Sequence, residues 1–277
     1  HRFRDDKEGG HGMVDMYKSI AESCNTYYYL LGSEMGIDII SEFMAQFGFG
    51  SRTGIDLDGE RTGVLPSREW KINAFKKAEA QRWYSGETIS VAIGQGYNNY
   101  TPLQLAHATA VLASGGMNAT PRLVRAFQNP VSGQITEKPL EAFRQLNLQQ
   151  RHVESVKDGM RGAVVAGTAR GVFKDVAYEV AGKTGTAHKQ EGGRYVNKYL
   201  SSFVGLAPVS NPRVIVAVMV DEPGNGIYYG GAVAAPVFST ITKSVLSKMS
   251  VEPDALLSPI DSRNLVSAPS SGSGARL

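Results

Sequence analysis

The sequence predicts an α+β protein, with a helical part beside an antiparallel sheet. Three observations predict it. Apolar residues recur at helical spacing through much of the first 165 positions. Between Tyr178 and Asp221 the pattern changes to short β-rich runs bounded by Gly, Asn and Pro. From Ala232 to Met249 helical spacing returns. A length of 277 residues with 42% apolar content allows a real core and excludes bulk disorder. No apolar run approaches the roughly 18 residues of a membrane helix. A single cysteine excludes an intrachain disulfide and a cysteine-rich zinc site. Lys and Arg number 29 against 26 Asp and Glu, a balance too even to imply nucleic acid.

Residues 1–12 are polar and glycine-bearing and read as loop. Val14, Met16, Tyr17, Ile20, Cys24, Tyr27, Tyr28, Leu30 and Leu31 predict a helix over 13–31, with Asp15 as its cap. Gly36 breaks the pattern. Ile37, Ile40, Phe43, Met44 and Phe47 form the face of a second helix that ends at Gly48 and Gly50. Residues 48–88 are turn-rich. Gly94-Gln95-Gly96 lacks the third glycine of a dinucleotide loop and reads as a tight turn. Thr101-Pro102-Leu103-Gln104 is a helix start, with Thr101 and Gln104 as a capping box. That helix runs to Ala113 and stops at Gly115-Gly116. Residues 117–150 are irregular, with a short hairpin around Asn129–Gly133, and Gln149–Val165 is an amphipathic helix. Tyr178–Thr186, Leu200–Ala207 and Arg213–Asp221 read as strands. The run Val214–Val220 is apolar on both faces, as a central strand would be. Residues 1–254 are expected to form the domain and 255–277 a disordered tail.

Common chemical motifs are missing. None of His1, His11, His107, His152 and His188 stands at ligand spacing from another His or Glu, so no metal site is expected. There is no Gly-x-Ser-x-Gly elbow and no phosphate-binding loop. Two short stretches remain. Lys183-Thr184-Gly185-Thr186 lies on the first predicted strand. Strand alternation puts Lys183 and Gly185 on one face and the two threonines on the other. The ammonium and hydroxyls are suited to a carboxylate, and Gly185 to close approach of a substrate backbone. Ordinary solvent-facing Lys and Thr would look the same. Ser23-Cys24-Asn25 interrupts the first helix with poor helix formers, which a kink or cap would also explain.

Together, Ser-x-Asn followed far downstream by Lys-Thr-Gly resembles the pattern of serine acyl-transferases of the penicillin-binding class. The chain is similar to the transpeptidase domain of class B penicillin-binding proteins over about residues 1–258. Residues 11–19, Thr53-Gly54-Ile55-Asp56-Leu57 and residues 90–97 resemble the elongation-specific enzyme. Residues 193–199, Tyr228-Tyr229-Gly230-Gly231 and residues 234–238 look more like the division-specific one. Either a lineage mixes both sets or the chain is a composite joined near 186–193.

The resemblance implies a penicillin-binding/serine β-lactamase-like fold and a peptidoglycan D,D-transpeptidase that crosslinks cell-wall peptides at D-Ala-D-Ala. It implies that Ser23 relays a proton to the leaving amine, that Asn25 binds the peptide amide or helps place the family's Ser-x-x-Lys lysine, and that Lys183 shapes the field around Ser23. Thr184, Gly185 and Thr186 would hold the terminal carboxylate of the stem peptide or of a β-lactam. No cofactor is implied. The implied partner is a glycosyltransferase of the elongation or division machinery. The implied location is the outer face of the cytoplasmic membrane, with membrane contact only through a segment absent here.

The family's nucleophile stands in Ser-x-x-Lys, and no serine here lies three positions before a lysine. Thr186-Ala187-His188-Lys189 and Thr240-Ile241-Thr242-Lys243 are echoes in the wrong place. The chain opens on His1 and reads as a piece with its N-terminal part missing, so on its own it is expected to be inactive. An exposed apolar patch or unsatisfied groups near Ser23, Asn25 and Lys183 are expected in consequence. Cys24 reads as a packing residue. The rivals are a non-catalytic scaffold or β-lactam sensor, and a serine β-lactamase with a deacylating base at Glu60, Glu69 or Glu87. A basic stretch over 68–82 reads as a solvated loop.

Overall fold

A computed structural model of the chain describes residues 3–192 and 194–255. The tail expected to be disordered lies, beyond Ala255, outside the described residues. In chain order the helices are α1 (Met16–Ala21), α2 (Asn25–Ala45), α3 (Arg68–Ala74), α4 (Ala78–Gln81), α5 (Ser85–Ala92) and α6 (Pro102–Ala113). Four short strands follow, β1 (Met117–Asn118), β2 (Ala126–Gln128), β3 (Ile135–Glu137) and β4 (Arg144–Gln145). Helix α7 (Gln150–Val165), strands β5 (Ala181–Glu191), β6 (Arg194–Ala207) and β7 (Val214–Asp221), and helix α8 (Gly230–Lys248) complete the described fold. Among the described residues, no helix is long and apolar enough to cross a membrane.

The main sheet is antiparallel in the order β5-β6-β7. Among the described residues its centre is therefore β6, and the expectation that Val214–Val220 is central is corrected there: β7 pairs with β6 and with no other described strand. Helix α8 packs on one face of the sheet and α6 and α7 on the other. On the α8 face, Phe203 and Ala207 meet Ala234, Ala235 and Phe238. On the opposite face, Leu206 and Ala181 meet Ile20 of α1 and Met160 of α7. The strand period of two separates the two cores. Phe238 is fully buried, with ring centroids 4.8 Å from Phe203 and 5.9 Å from Phe173. Phe238→Ala is expected to lower stability by about 3–5 kcal/mol, seen as a lower urea midpoint with an unchanged slope.

The predicted capping box at Thr101 and Gln104 is present, with both reciprocal hydrogen bonds. The hairpin around Asn129–Gly133 is β2–β3. The helix predicted over 13–31 is two helices. Asp15 caps α1 by accepting from the Lys18 N–H, and α1 ends at Ala21. Ser23 then takes a left-handed conformation with φ 60°, and α2 starts at Asn25. The predicted break at Gly36 is present: its backbone leaves the helical region (φ 75°, ψ 163°), so α2 is two helical stretches joined across a kink. Within 48–88, read as turns, lie α3, α4 and the start of α5.

Lys71 of α3, in the basic stretch, is buried rather than solvated. Its ammonium pairs with Glu87, donates to the Arg82 carbonyl at 2.7 Å and lies 5.3–5.6 Å from the ring centroids of Trp83, Tyr84 and Tyr97. A desolvated cation held by one carboxylate and three ring faces ties α3 to α5.

Candidate active site

A cleft of about 1020 Å³ lies between the helical part and the free edge of β5. Ser23 and Asn25 line one wall, Thr184 and Thr186 another, and Gly230 and Gly231 at the start of α8 lie beside them. Each group arrives there for a local reason. Among the described residues strand β5 pairs only with β6, so its other edge has no strand partner there and suits an extended chain. Its alternation sends Lys183 to the face of Ala181 and α1, and Thr184 and Thr186 to the face of α8. The two sequence stretches thereby meet. Lys183 Nζ donates to Ser23 Oγ at 2.7 Å and to the Thr184 carbonyl at 3.1 Å. Burial of the ammonium pushes the Lys183 pKa down to about 8, against an opposing pull from the Asp6 carboxylate.

The turn that carries Ser23 is anchored on both sides. Glycines 159 and 162 of α7 leave room for Ile20 and Tyr17 of α1, so α1 packs closely. The Cys24 N–H donates to the Ser19 carbonyl at 3.0 Å. Cys24 makes no side-chain cap for α2; Asp5 does so from a distance, accepting from the Thr26 N–H at 3.1 Å. The Cys24 thiol is buried, donates to Asp5 at 3.3 Å and has its pKa pushed up by burial, as suits a packing residue. Burial opposes the charge of Asp5, but the hydrogen bonds it accepts hold its carboxyl well below the usual carboxylate range.

His11 joins the same turn, with Nδ1 at 3.2 Å from Asp5 Oδ1. Asp5, His11 and Cys24 each place one ligand atom within 4.8 Å of the others. Carboxylate, imidazole and thiol are donor types that a zinc-like ion accepts. The sequence reading found no such group, because the three are spread over twenty positions of loop and turn.

Of the unsatisfied buried groups expected near Ser23, Asn25 and Lys183, one is found among the described residues, His11 Nδ1 beside Asp5 and Cys24. The buried side-chain atoms without a hydrogen bond are His11 Nδ1, His107 Nδ1 and Thr242 Oγ1. The cleft has an aromatic wall. Tyr199 and Tyr228 stack at 3.9 Å with their planes 9° apart, and Tyr228 contacts Tyr229. His188, next along β5, packs on Tyr199 at 4.5 Å. Gln95, from the glycine turn after α5, also lines the cleft, as do Thr168 and Arg170 after α7. The sequence offered only aromatic and polar turn residues as a signal for these.

None of Glu60, Glu69 and Glu87 lines the cleft. Glu60 accepts from Thr53 and Gly54, and Glu87 is bound to Lys71 and the Tyr84 N–H. Glu60 and Glu87 are therefore held in structural bonds, and Glu69 is exposed in the first turn of α3, away from the cleft lining.

The family profile described as penicillin binding protein transpeptidase domain matches residues 2–243. The chain belongs to that family, and the match runs through residues 186–193. The peptidoglycan D,D-transpeptidase MrdA of Acinetobacter baumannii is 40% identical over 250 residues, which take in 86% of this chain and 36% of that protein. The chain thus spans about a third of the length of the curated relatives it matches. The crystal structure of Pseudomonas aeruginosa PBP2 in complex with WCK 5153 superposes with a TM-score of 0.77 at 36% identity, covering 92% of this chain and 54% of that one. PBP2 of Helicobacter pylori, in its complex with MreC, gives a TM-score of 0.72 at 27% identity over 90% of this chain and 43% of that one.

Proposed function

We propose that this chain supplies the proton-relay and substrate-holding part of a peptidoglycan D,D-transpeptidase, the β-lactam-sensitive enzyme that crosslinks stem peptides by serine acyl transfer. One observation carries the reading: Lys183 Nζ and Ser23 Oγ, from motifs 160 positions apart, are hydrogen-bonded on the same cleft as Asn25, Thr184 and Thr186. Lys183 donates to Ser23, so the Ser23 proton is free to pass to the leaving amine, with Lys183 as the source that restores it. The Asn25 amide, which has no partner among the described residues, receives the peptide bond. The Thr184 and Thr186 hydroxyls receive the terminal carboxylate, and the open edge of β5 takes the peptide backbone as an added strand.

The nucleophile is not among these 277 residues, since no Ser-x-x-Lys occurs in them. That observation favours a second reading, a non-catalytic module of the same fold. Fluorescent penicillin separates the two. The 277-residue chain alone is expected to form no adduct stable to a denaturing gel, because a cooperating nucleophile–base set is worth on the order of 10⁶ in rate. The full-length protein is expected to label. Full-length protein that stays unlabelled would establish the non-catalytic reading; labelling of the chain alone would refute its inactivity.

The membrane address belongs to the same proposal: the domain works on the outer face of the cytoplasmic membrane. Its partners there are a glycosyltransferase and the shape or division machinery. The MreC complex of the H. pylori relative supports the shape machinery.

A further inference from the structure

We infer that Thr168 is a positioning residue: it donates its hydroxyl proton to Thr184, so that the Thr184 proton points into the cleft toward the substrate carboxylate. The inference rests on the D,D-transpeptidase reading of this cleft. A threonine hydroxyl has one proton to give and lone pairs to receive. Thr186 Oγ1 accepts from the Gly230 N–H at 3.1 Å. A backbone N–H only donates, so the Thr186 proton is free for a ligand.

Thr184 Oγ1 lies 2.8 Å from Thr168 Oγ1, and either can donate in the empty site. A carboxylate removes the ambiguity. It has no proton to offer, so Thr184 must donate to it, and Thr168 must then donate to Thr184. The same reasoning makes the anchor selective. A terminal carboxamide presents donors as well as an acceptor, and the pair of outward-pointing O–H groups does not suit its NH₂.

Thr168 is held in place for this task. Its N–H donates to the Ala21 carbonyl at the end of α1 at 3.3 Å. Its own carbonyl abuts Gly231 so closely that a Cβ there would collide with it. The turn thus bridges α1, β5 and α8. On the α8 side of the cleft the setting favours an anion, while the Asp6 carboxylate also lines the cleft. Gly230 opens a helix of 19 residues, whose positive end faces the cleft. Arg170, two residues after Thr168, lines the cleft and forms no ion pair among the described residues. Both relay hydroxyls are therefore polarised in the same direction, which strengthens each bond of the chain.

The test uses full-length protein and competition against fluorescent penicillin. The probes are an N-acyl-D-Ala-D-Ala peptide with a free C-terminus and its C-terminal amide. Wild type is expected to bind the acid more tightly than the amide. Thr168→Val is expected to weaken the acid about two- to tenfold, as for one lost hydrogen bond between neutral groups, and to leave the amide unchanged. Thr168→Ser is expected to restore the preference. Equal losses for acid and amide would mean a merely structural role and would overturn the inference, as would an unchanged Thr168→Val. If Thr168→Val does not fold, Thr168→Ala gives the same comparison. If wild type labels with penicillin but neither peptide competes, the carboxylate anchor is wrong; if wild type does not label, the transpeptidase reading fails first.

Discussion

Exchanging Lys183 for Met in the full-length protein lowers the rate of acylation by penicillin about 10²- to 10⁴-fold, the usual worth of a positioned proton donor. The side chains are similar in length, so packing behind β5 changes little. What disappears is the ammonium 2.7 Å from Ser23 Oγ. The pH profile sharpens the prediction. Because the protonated form feeds the relay, acylation falls as pH rises through about 8. Stability moves the other way. The folded pKa lies below the unfolded value of about 10.4, so the unfolded chain holds the proton more tightly. Below pH 8 that cost is constant; between about 8 and 10.4 it is relieved and stability rises. Denaturant midpoints at pH 7 and pH 10 test this. Wild type should gain stability over that interval from this group, and Lys183→Met should lose the gain. A Lys183→Met protein with wild-type acylation would remove Lys183 from the mechanism.

Gly230→Ala is expected to destabilise the fold by about 1–3 kcal/mol and to abolish binding of carboxylate-terminated peptide. On an open helix the change from Gly to Ala gains up to about 1 kcal/mol, so the sign here is set by crowding. A Cβ on Gly230 would run into the backbone carbonyls of Ser202 on β6 and Gly185 on β5. Backbone cannot turn aside as a side chain can. The start of α8 must lift from the sheet, and the Gly230 N–H leaves Thr186. Gly224→Ala is the control, since nothing lies within 4 Å of a Cβ there. It should change stability by less than about 0.5 kcal/mol, read from the urea midpoint and slope. Equal behaviour of the two variants would mean that α8 is not pinned at Gly230.

Much of this was legible in the residues. The capping box at Thr101 needs only four neighbours to be read. The three strands follow from composition. Their order did not, and the reason is physical. Strand β7 is covered by α6 and α8, so both its faces are apolar although it pairs with one strand. Apolarity reports cover on the faces, and pairing happens at the edges. The break at Ser23 was visible only as two poor helix formers, since the residue that caps α2, Asp5, lies twenty positions away from its start. Buried Lys71 was read as solvated because its carboxylate and rings come from 82–97. In the site, Ser23, Asn25, Lys183 and the threonines carry a spacing pattern. Thr168 carries none, because it reaches the cleft on the turn after α7, and the tyrosine wall joins Tyr199 of β6 to Tyr228 and Tyr229 before α8, which only the fold brings together.

The bond between Lys183 and Ser23 also has a history in time. It closes a loop of 160 residues, a contact whose entropy cost must be met by other interactions first. At about 5–20 residues per second, the ribosome adds Lys183 roughly 8–32 s after Ser23. The α1–α2 corner therefore waits, half a site with no ammonium beside it, until the sheet has docked. Whatever else folds early in this chain, its relay is assembled at the end.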